Sequence, residues 1–273
     1  MRRALCLLLA GAALAGCRQA SAPAADPTAN LATSIAAIRA PDPATRVDCA
    51  TLVNPLVLLV MGQSNAGNHG ALGTPGAPAG RQHTLFGNAC FASADPLPGA
   101  TGDDASIWSR LPAIAGRPIL LVPIAVESTA IAQWTTPGPL RAYVDARLKQ
   151  LGEGPFKVDL VLWQQGEADA KAHTAQTDYV AGLAGLRVML DAHQIRAPLL
   201  AARSTYCPGS DGKAVRAAVG AGAGIARIAE GPDMDGLQGV MRSGGCHFSA
   251  RGLAAAAALW TDAIAAALAA RRD

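Results

Sequence analysis

The sequence predicts an α/β fold, a doubly wound and mainly parallel sheet under helices. Three observations predict it. Short apolar runs, β-branched in part, recur at residues 56–61, 119–126, 158–163 and 198–202, as buried parallel strands do. Segments with apolar residues at helical spacing fall between them, and strict alternation of strand and helix favours parallel pairing. The chain has 273 residues, 51% of them apolar and 16% charged, enough for one domain with a sizeable core and too apolar for extended disorder.

The N-terminal stretch reads as an address rather than as fold. Arg2 and Arg3 precede an apolar run from Ala4 to Ala15, too short to span a bilayer and typical of a signal peptide. Leu14-Ala15-Gly16-Cys17 resembles a bacterial lipobox, which implies cleavage before Cys17 and lipidation of its thiol. The expected organisation is a signal over residues 1–16, a flexible Ala/Ser/Pro-rich tether over 17–48 with a short helix near 31–39, and a folded domain over 49–273. The expected place is a bacterial membrane surface, periplasmic or outside the cell.

Removing the signal removes two arginines, so 23 − 2 = 21 basic residues face 20 acidic ones. That balance, without a basic patch, excludes nucleic acid as an expected partner. Four cysteines remain after Cys6 and Cys17 are set aside: Cys49, Cys90, Cys207 and Cys246. An even number in an exported chain suggests two disulfides, and Cys49–Cys90 with Cys207–Cys246 is the expected pairing among three. No Cys-x-x-Cys pair occurs, so no metal site is expected.

Along the domain, Pro55 precedes the first strand, 56–61, and Gly62 permits a sharp exit from it. Residues 66–105 are rich in Gly, Pro, Ala and Asn and read as a long loop near the site; His69 and His83 in it are read as surface residues, with a place lining the site as the alternative. The run at 119–126 is interrupted by Pro123, which marks a bulge or a weakened strand. Leu140, Val144, Leu148 and Leu151 predict a helix over 140–151; Val180, Leu183, Leu186 and Leu190 predict one over 177–193. Helices are also expected over 213–228 and 249–271, the last with Ser249 as N-cap.

Three polar islands sit at element boundaries: Gly62-Gln63-Ser64-Asn65, Trp163-Gln164-Gln165-Gly166-Glu167-Ala168-Asp169, and Cys246-His247-Phe248-Ser249. Open α/β sheets place their ligand crevice at the C-terminal ends of the strands, so the islands are expected to converge. The residue types suit acyl transfer. A serine needs a base, a histidine serves near neutrality, a carboxylate orients the histidine, and amide N–H groups stabilise the oxyanion.

At these residues the sequence resembles the SGNH-type (GDSL) hydrolases, and within them the sialate O-acetylesterase-like group that includes acetylxylan esterases. Gly-Gln-Ser-Asn at 62–65, Gln-Gly-Glu-Ala-Asp at 165–169, His247-Phe248-Ser249 with Gly252, and Thr129 to Trp134 resemble that group's blocks in order. The resemblance implies a three-layer α/β/α hydrolase with a flavodoxin-like sheet that removes acetyl groups from carbohydrate without a cofactor. It implies Ser64 as nucleophile, His247 as base and Glu167 as first candidate for the acid, followed by Asp169 and Asp235. Oxyanion donors are expected at the Ser64 amide, the backbone near Ser128 and the Gln165 side chain. Gln63, Asn65 and Trp134 are expected to bind substrate. Two positions depart from the pattern. Glu127-Ser128 replace the group's Gly-Gly, and Gly244 stands where SGNH enzymes keep an aspartate. A Cys207–Cys246 bond would pin the loop of His247 and partly replace that anchor. The other readings are a catalytically silent carbohydrate-binding lipoprotein, which Gly244 favours, and an esterase for other short-chain esters.

Overall fold

A computed structural model describes residues 27–71 and 82–271. Its strands are β1 (Arg46–Val47), β2 (Leu56–Gly62), β3 (Gln82–Phe86), β4 (Ala89–Ala92), β5 (Ile119–Ala125), β6 (Leu160–Gln164), β7 (Leu199–Arg203), β8 (Ile228–Asp233), β9 (Arg242–Ser243) and β10 (His247–Phe248). Its α-helices are α1 (Pro27–Ala36), α2 (Ile131–Thr135), α3 (Pro139–Glu153), α4 (Glu167–Lys171), α5 (Gln176–Ala192), α6 (Lys213–Gly222) and α7 (Ala250–Ala269). One sheet runs β1-β4-β3-β5-β2-β6-β7-β8, and β9 with β10 forms a separate hairpin. The six strands from β3 to β8 are parallel neighbours; β4 and β1 join antiparallel at one side.

The sheet is buried on both faces, and β2 shows how. Val57, Leu59 and Met61 join one core with α1, α2, α3, α5 and α6. Leu56, Leu58 and Val60 point the other way, into a core with α7 and the segment around Trp108. The alternation follows from the two-residue period of a strand, and the result is the expected three-layer α/β/α sandwich. Ser249 caps α7 by accepting from the Gly252 N–H at 3.1 Å. The helix then buries Leu253, Trp260 and Ile264, and the Trp260 indole donates to Gln164 Oε1 at 3.0 Å. Such side chains contribute about 1.5–3 kcal/mol each.

Pro123 neither bulges nor weakens β5, which pairs with β2 through Pro123 opposite Val60. Odd-numbered residues of β5 turn their amides toward β3, and β3 pairs only as far as Leu121. Beyond it the chain at Gly99 to Thr101 takes over, bonding Ala125 alone. The missing N–H of Pro123 therefore falls in the gap between the two.

The loop expected over 66–105 contains the β3–β4 hairpin, the helix expected over 213–228 ends at Gly222, and β8 beyond it is a strand that was not expected. The tether expected over 17–48 is docked over its described part. Leu31 of α1 is buried in the core, the Arg39 N–H donates to Ala100 O at 3.0 Å, and Val47 pairs with Cys90. The signal and Cys17 lie outside the described residues. Both expected disulfides are present, Cys49–Cys90 and Cys207–Cys246.

Candidate active site

The strand order reverses at β2: β5 lies on one side of it and β6 on the other. Ser64 stands just past its C-terminal end, at the switch point where such sheets open a crevice. Gly62 carries φ 145°, and Ser64 begins a short 3₁₀ turn through Ala66. A cavity of about 550 Å³ opens there. Gln63, Ser64, Ser128, Glu167, Lys171 and His247 line it, with Cys207, Gly244 and Cys246 on its wall. The structure thus brings Ser64, Ser128 and His247 onto one cavity from three distant segments. Ser128 has φ 58°, a left-handed turn held by the Thr129 hydroxyl donating to Val126 O at 2.8 Å.

His247 comes from the β9–β10 hairpin, and its neighbour Cys246 ties that hairpin to the serine turn. Cys246 O accepts from Asn65 Nδ2 at 3.2 Å and from the Arg242 guanidinium at 2.7 Å. Arg242 also lies over the Phe248 ring at 4.1 Å and donates to Met234 O, which fixes the base of the hairpin. Burial pushes His247 below the ordinary histidine value; His69, Lys171 and Arg242 add to this and Glu127 opposes it. At neutral pH the imidazole is therefore free to accept a proton.

None of the three candidate acids contacts His247. Glu167 is buried, and its Oε1 accepts from Asn65 Nδ2 at 2.6 Å and from the Ser204 hydroxyl at 2.7 Å. It braces the serine turn through Asn65 instead of orienting the base. Asp169 accepts from Gln165 Nε2, the Ile131 N–H and Thr174 Oγ1, and so holds the start of α2. Asp235 is taken up by the Thr205 and Tyr206 amides, the Thr205 hydroxyl and Arg216.

Three further expectations change. Gln165 is fully buried, and its amide nitrogen serves Gln63 Oε1, Thr129 O and Asp169 at 3.2, 2.9 and 2.6 Å. Two N–H groups facing three acceptors leave none for an oxyanion. Trp134 is fully buried, edge-on to Trp163, with its indole donating to Thr129 Oγ1 at 3.0 Å. It is core, not a substrate contact. Asn65 is a strut; Gln63 does reach the cavity, with its carbonyl oxygen held by the Ala168 N–H.

Sequence reasoning favoured a surface place for His69 and gave Glu127 and Lys171 no part in the site. The His69 ring lies 5.2 Å from that of His247, centroid to centroid. Glu127 stands two residues past the end of β5, as Ser64 does past β2, so the strand-end rule that selected Ser64 would have found it. His83 sits on β3 opposite Leu120 and Ala92, apart from this cavity.

Burial also pushes the Glu167 carboxyl above its ordinary value, with the Asn65 and Ser204 hydrogen bonds opposing. A raised folded-state value means the native state holds the proton longer than the unfolded chain. The stability from this group is then greatest at low pH and falls as pH rises through the unfolded value toward the folded one. Glu167→Gln keeps an oxygen for Asn65 and Ser204 and carries no charge. It is expected to hold or raise the melting temperature at neutral pH, whereas Glu167→Ala lowers it. A glutamine variant as destabilised as the alanine one would show that the charge itself is needed.

Comparison with known proteins follows the same lines. A family model described as carbohydrate esterase, sialic acid-specific acetylesterase, matches residues 106–203. No curated protein matches the chain. Among solved structures, a protein from Arabidopsis thaliana is similar at a TM-score of 0.61 and 20% identity, over 79% of this chain and 99% of that one. NanS is similar at 0.51 and 19%, over 81% of this chain and 99% of its own. A carbohydrate acetylesterase from Xanthomonas citri is similar at 0.51 and 17%, over 76% of this chain and 55% of its own. At these identities the structures show a shared fold. The motif resemblance is therefore matched by the acetylesterase family model over residues 106–203, which include the Gln165–Asp169 block, and by the fold alone over the rest of the chain, Ser64 and His247 included.

Proposed function

We propose that the chain is an exported serine esterase that removes O-acetyl groups from carbohydrate through an acetyl-Ser64 intermediate. The observation that carries this is the meeting of Ser64, the Ser128 turn and His247 on one cavity at the sheet's switch point. Ser64 Oγ attacks the acetyl carbonyl carbon while His247 takes the hydroxyl proton. The oxyanion forms against the backbone N–H groups of Ser64 and Ser128. The tetrahedral centre collapses, the sugar oxygen leaves with the proton from His247, and acetyl-Ser64 remains. Water, deprotonated by His247, then attacks the acyl carbon, and acetate is released as Ser64 Oγ leaves with the proton that His247 returns. Because His247 lies below the ordinary histidine value, activity is lost only at a pH under the usual histidine range.

Carbohydrate as substrate class rests on the family match. Two disulfides suit an exported chain, and the lipid anchor at Cys17 completes the proposed location. The substrate test measures acetate released from acetylated xylan and from p-nitrophenyl acetate. Release from both is expected. No release from either would overturn the esterase, and release from the nitrophenyl ester alone would confine it to other short-chain esters.

A further inference from the structure

None of Glu167, Asp169 and Asp235 hydrogen-bonds or pairs with the base, and position 244 is glycine. One other carboxylate stands beside the ring that packs on the histidine. Glu127 Oε2 lies 3.5 Å from His69 Nε2, and the His69 ring packs on the His247 ring at 5.2 Å with a tilt of 32°. Thr101, fully buried, joins the pair: its Oγ1 accepts from the Glu127 N–H at 3.0 Å and lies 3.3 Å from His69 Nε2.

The loop that presents His69 is stiff. The Asn68 amide bonds Leu97 with both ends, at 2.9 and 2.8 Å, and the Asn68 and Gly70 N–H groups donate to Thr101 O and Ala105 O. Opposite the ring is Gly102, where a Cβ would stand 2.8 Å from His69 Nε2, so the ring's seat depends on a glycine. The His69 side chain is 15% exposed, and burial pushes it below the ordinary histidine value against the pull of Asp104 and Asp103.

We infer that His69 and Glu127 are positioning residues for His247. His69 holds the plane of the imidazole, and Glu127 offsets the positive charge His247 gains on taking the proton of Ser64. This rests on His247 being the base of the proposed esterase. The groups that act on His247 are His69, Lys171 and Arg242, which disfavour its charged form, and Glu127, which favours it. Glu127 is the one carboxylate among them.

The test compares Glu127→Gln, His69→Phe and His69→Ala with the parent chain. The readouts are the pH profile of kcat and KM on p-nitrophenyl acetate and an NMR titration of the His247 ring. Glu127→Gln is expected to lower kcat about tenfold with KM little changed. The His247 midpoint and the acid limb of kcat should both move to lower pH. His69→Ala should lose at least as much kcat, and His69→Phe, which keeps a ring face, should lose less. An unchanged His247 midpoint with unchanged kcat in Glu127→Gln would overturn the inference. Failure of the esterase reading shows separately, as a parent chain without Ser64-dependent hydrolysis, and the NMR titration then still decides the pair.

Discussion

Ser64→Ala is expected to cut acetate release by at least about 10³-fold while leaving the fold intact. The loss follows from chemistry: without Oγ no acetyl-enzyme forms, and only oxyanion stabilisation and binding remain. The fold should survive because the turn is held through the main chain. Ser64 O accepts from the Gly67 N–H at 2.9 Å and Gln63 O from the Ala66 N–H at 2.8 Å, and neither bond uses the hydroxyl. Acetate release and thermal unfolding, measured on the same preparation, check both halves. A variant that keeps a tenth of the parent rate would remove Ser64 from the mechanism.

Gly62→Ala is expected to cost more than about 4 kcal/mol, a large share of the 5–15 kcal/mol by which a typical domain is stable. A Cβ at this position would stand 2.1 Å from Gln164 O and 2.7 Å from Gln164 C. Both are main-chain atoms of β6, which is hydrogen-bonded to β2 on the spot, so no side-chain rotation relieves the clash. The φ of 145° adds strain of its own. Gly138→Ala is the control, since nothing lies within 4 Å of its Cβ position. Urea unfolding of both variants decides: equal midpoints would show that the strand end yields more readily than its geometry implies.

The central strands were legible because a parallel strand buried on both faces must be apolar throughout, as Leu56 to Met61 is. The β3–β4 hairpin and β8 were not. Gln82, His83 and Thr84 break the apolar signal of β3, and Gly231-Pro232 look like a turn in β8, an edge strand where one neighbour suffices. Ser64 and His247 were legible as polar residues at element boundaries. What a buried polar side chain bonds to was not, because that depends on partners about a hundred residues away. Glu167 with Asn65, and Gln165 with Gln63, are each separated by 102 positions. Trp134 was misplaced for the same reason: a tryptophan in a conspicuous block fits core and cavity equally well on sequence alone.

The sheet's two outermost strands have a bearing on how such a chain survives at high concentration. A row of free backbone donors and acceptors invites strands from other molecules to add on. On one side that row is β1, two residues long. On the other it is β8, where Pro232 removes a donor, Gly231 weakens the strand, and Glu230, tied to Arg203 at 2.6 Å, sets a charge beside it. Neither side offers a template long enough to propagate. Self-association of this molecule, where it occurs, must use side-chain surfaces and not continuation of the sheet, so the long apolar strands at its centre are kept out of cross-β growth for as long as the two flanks stay closed.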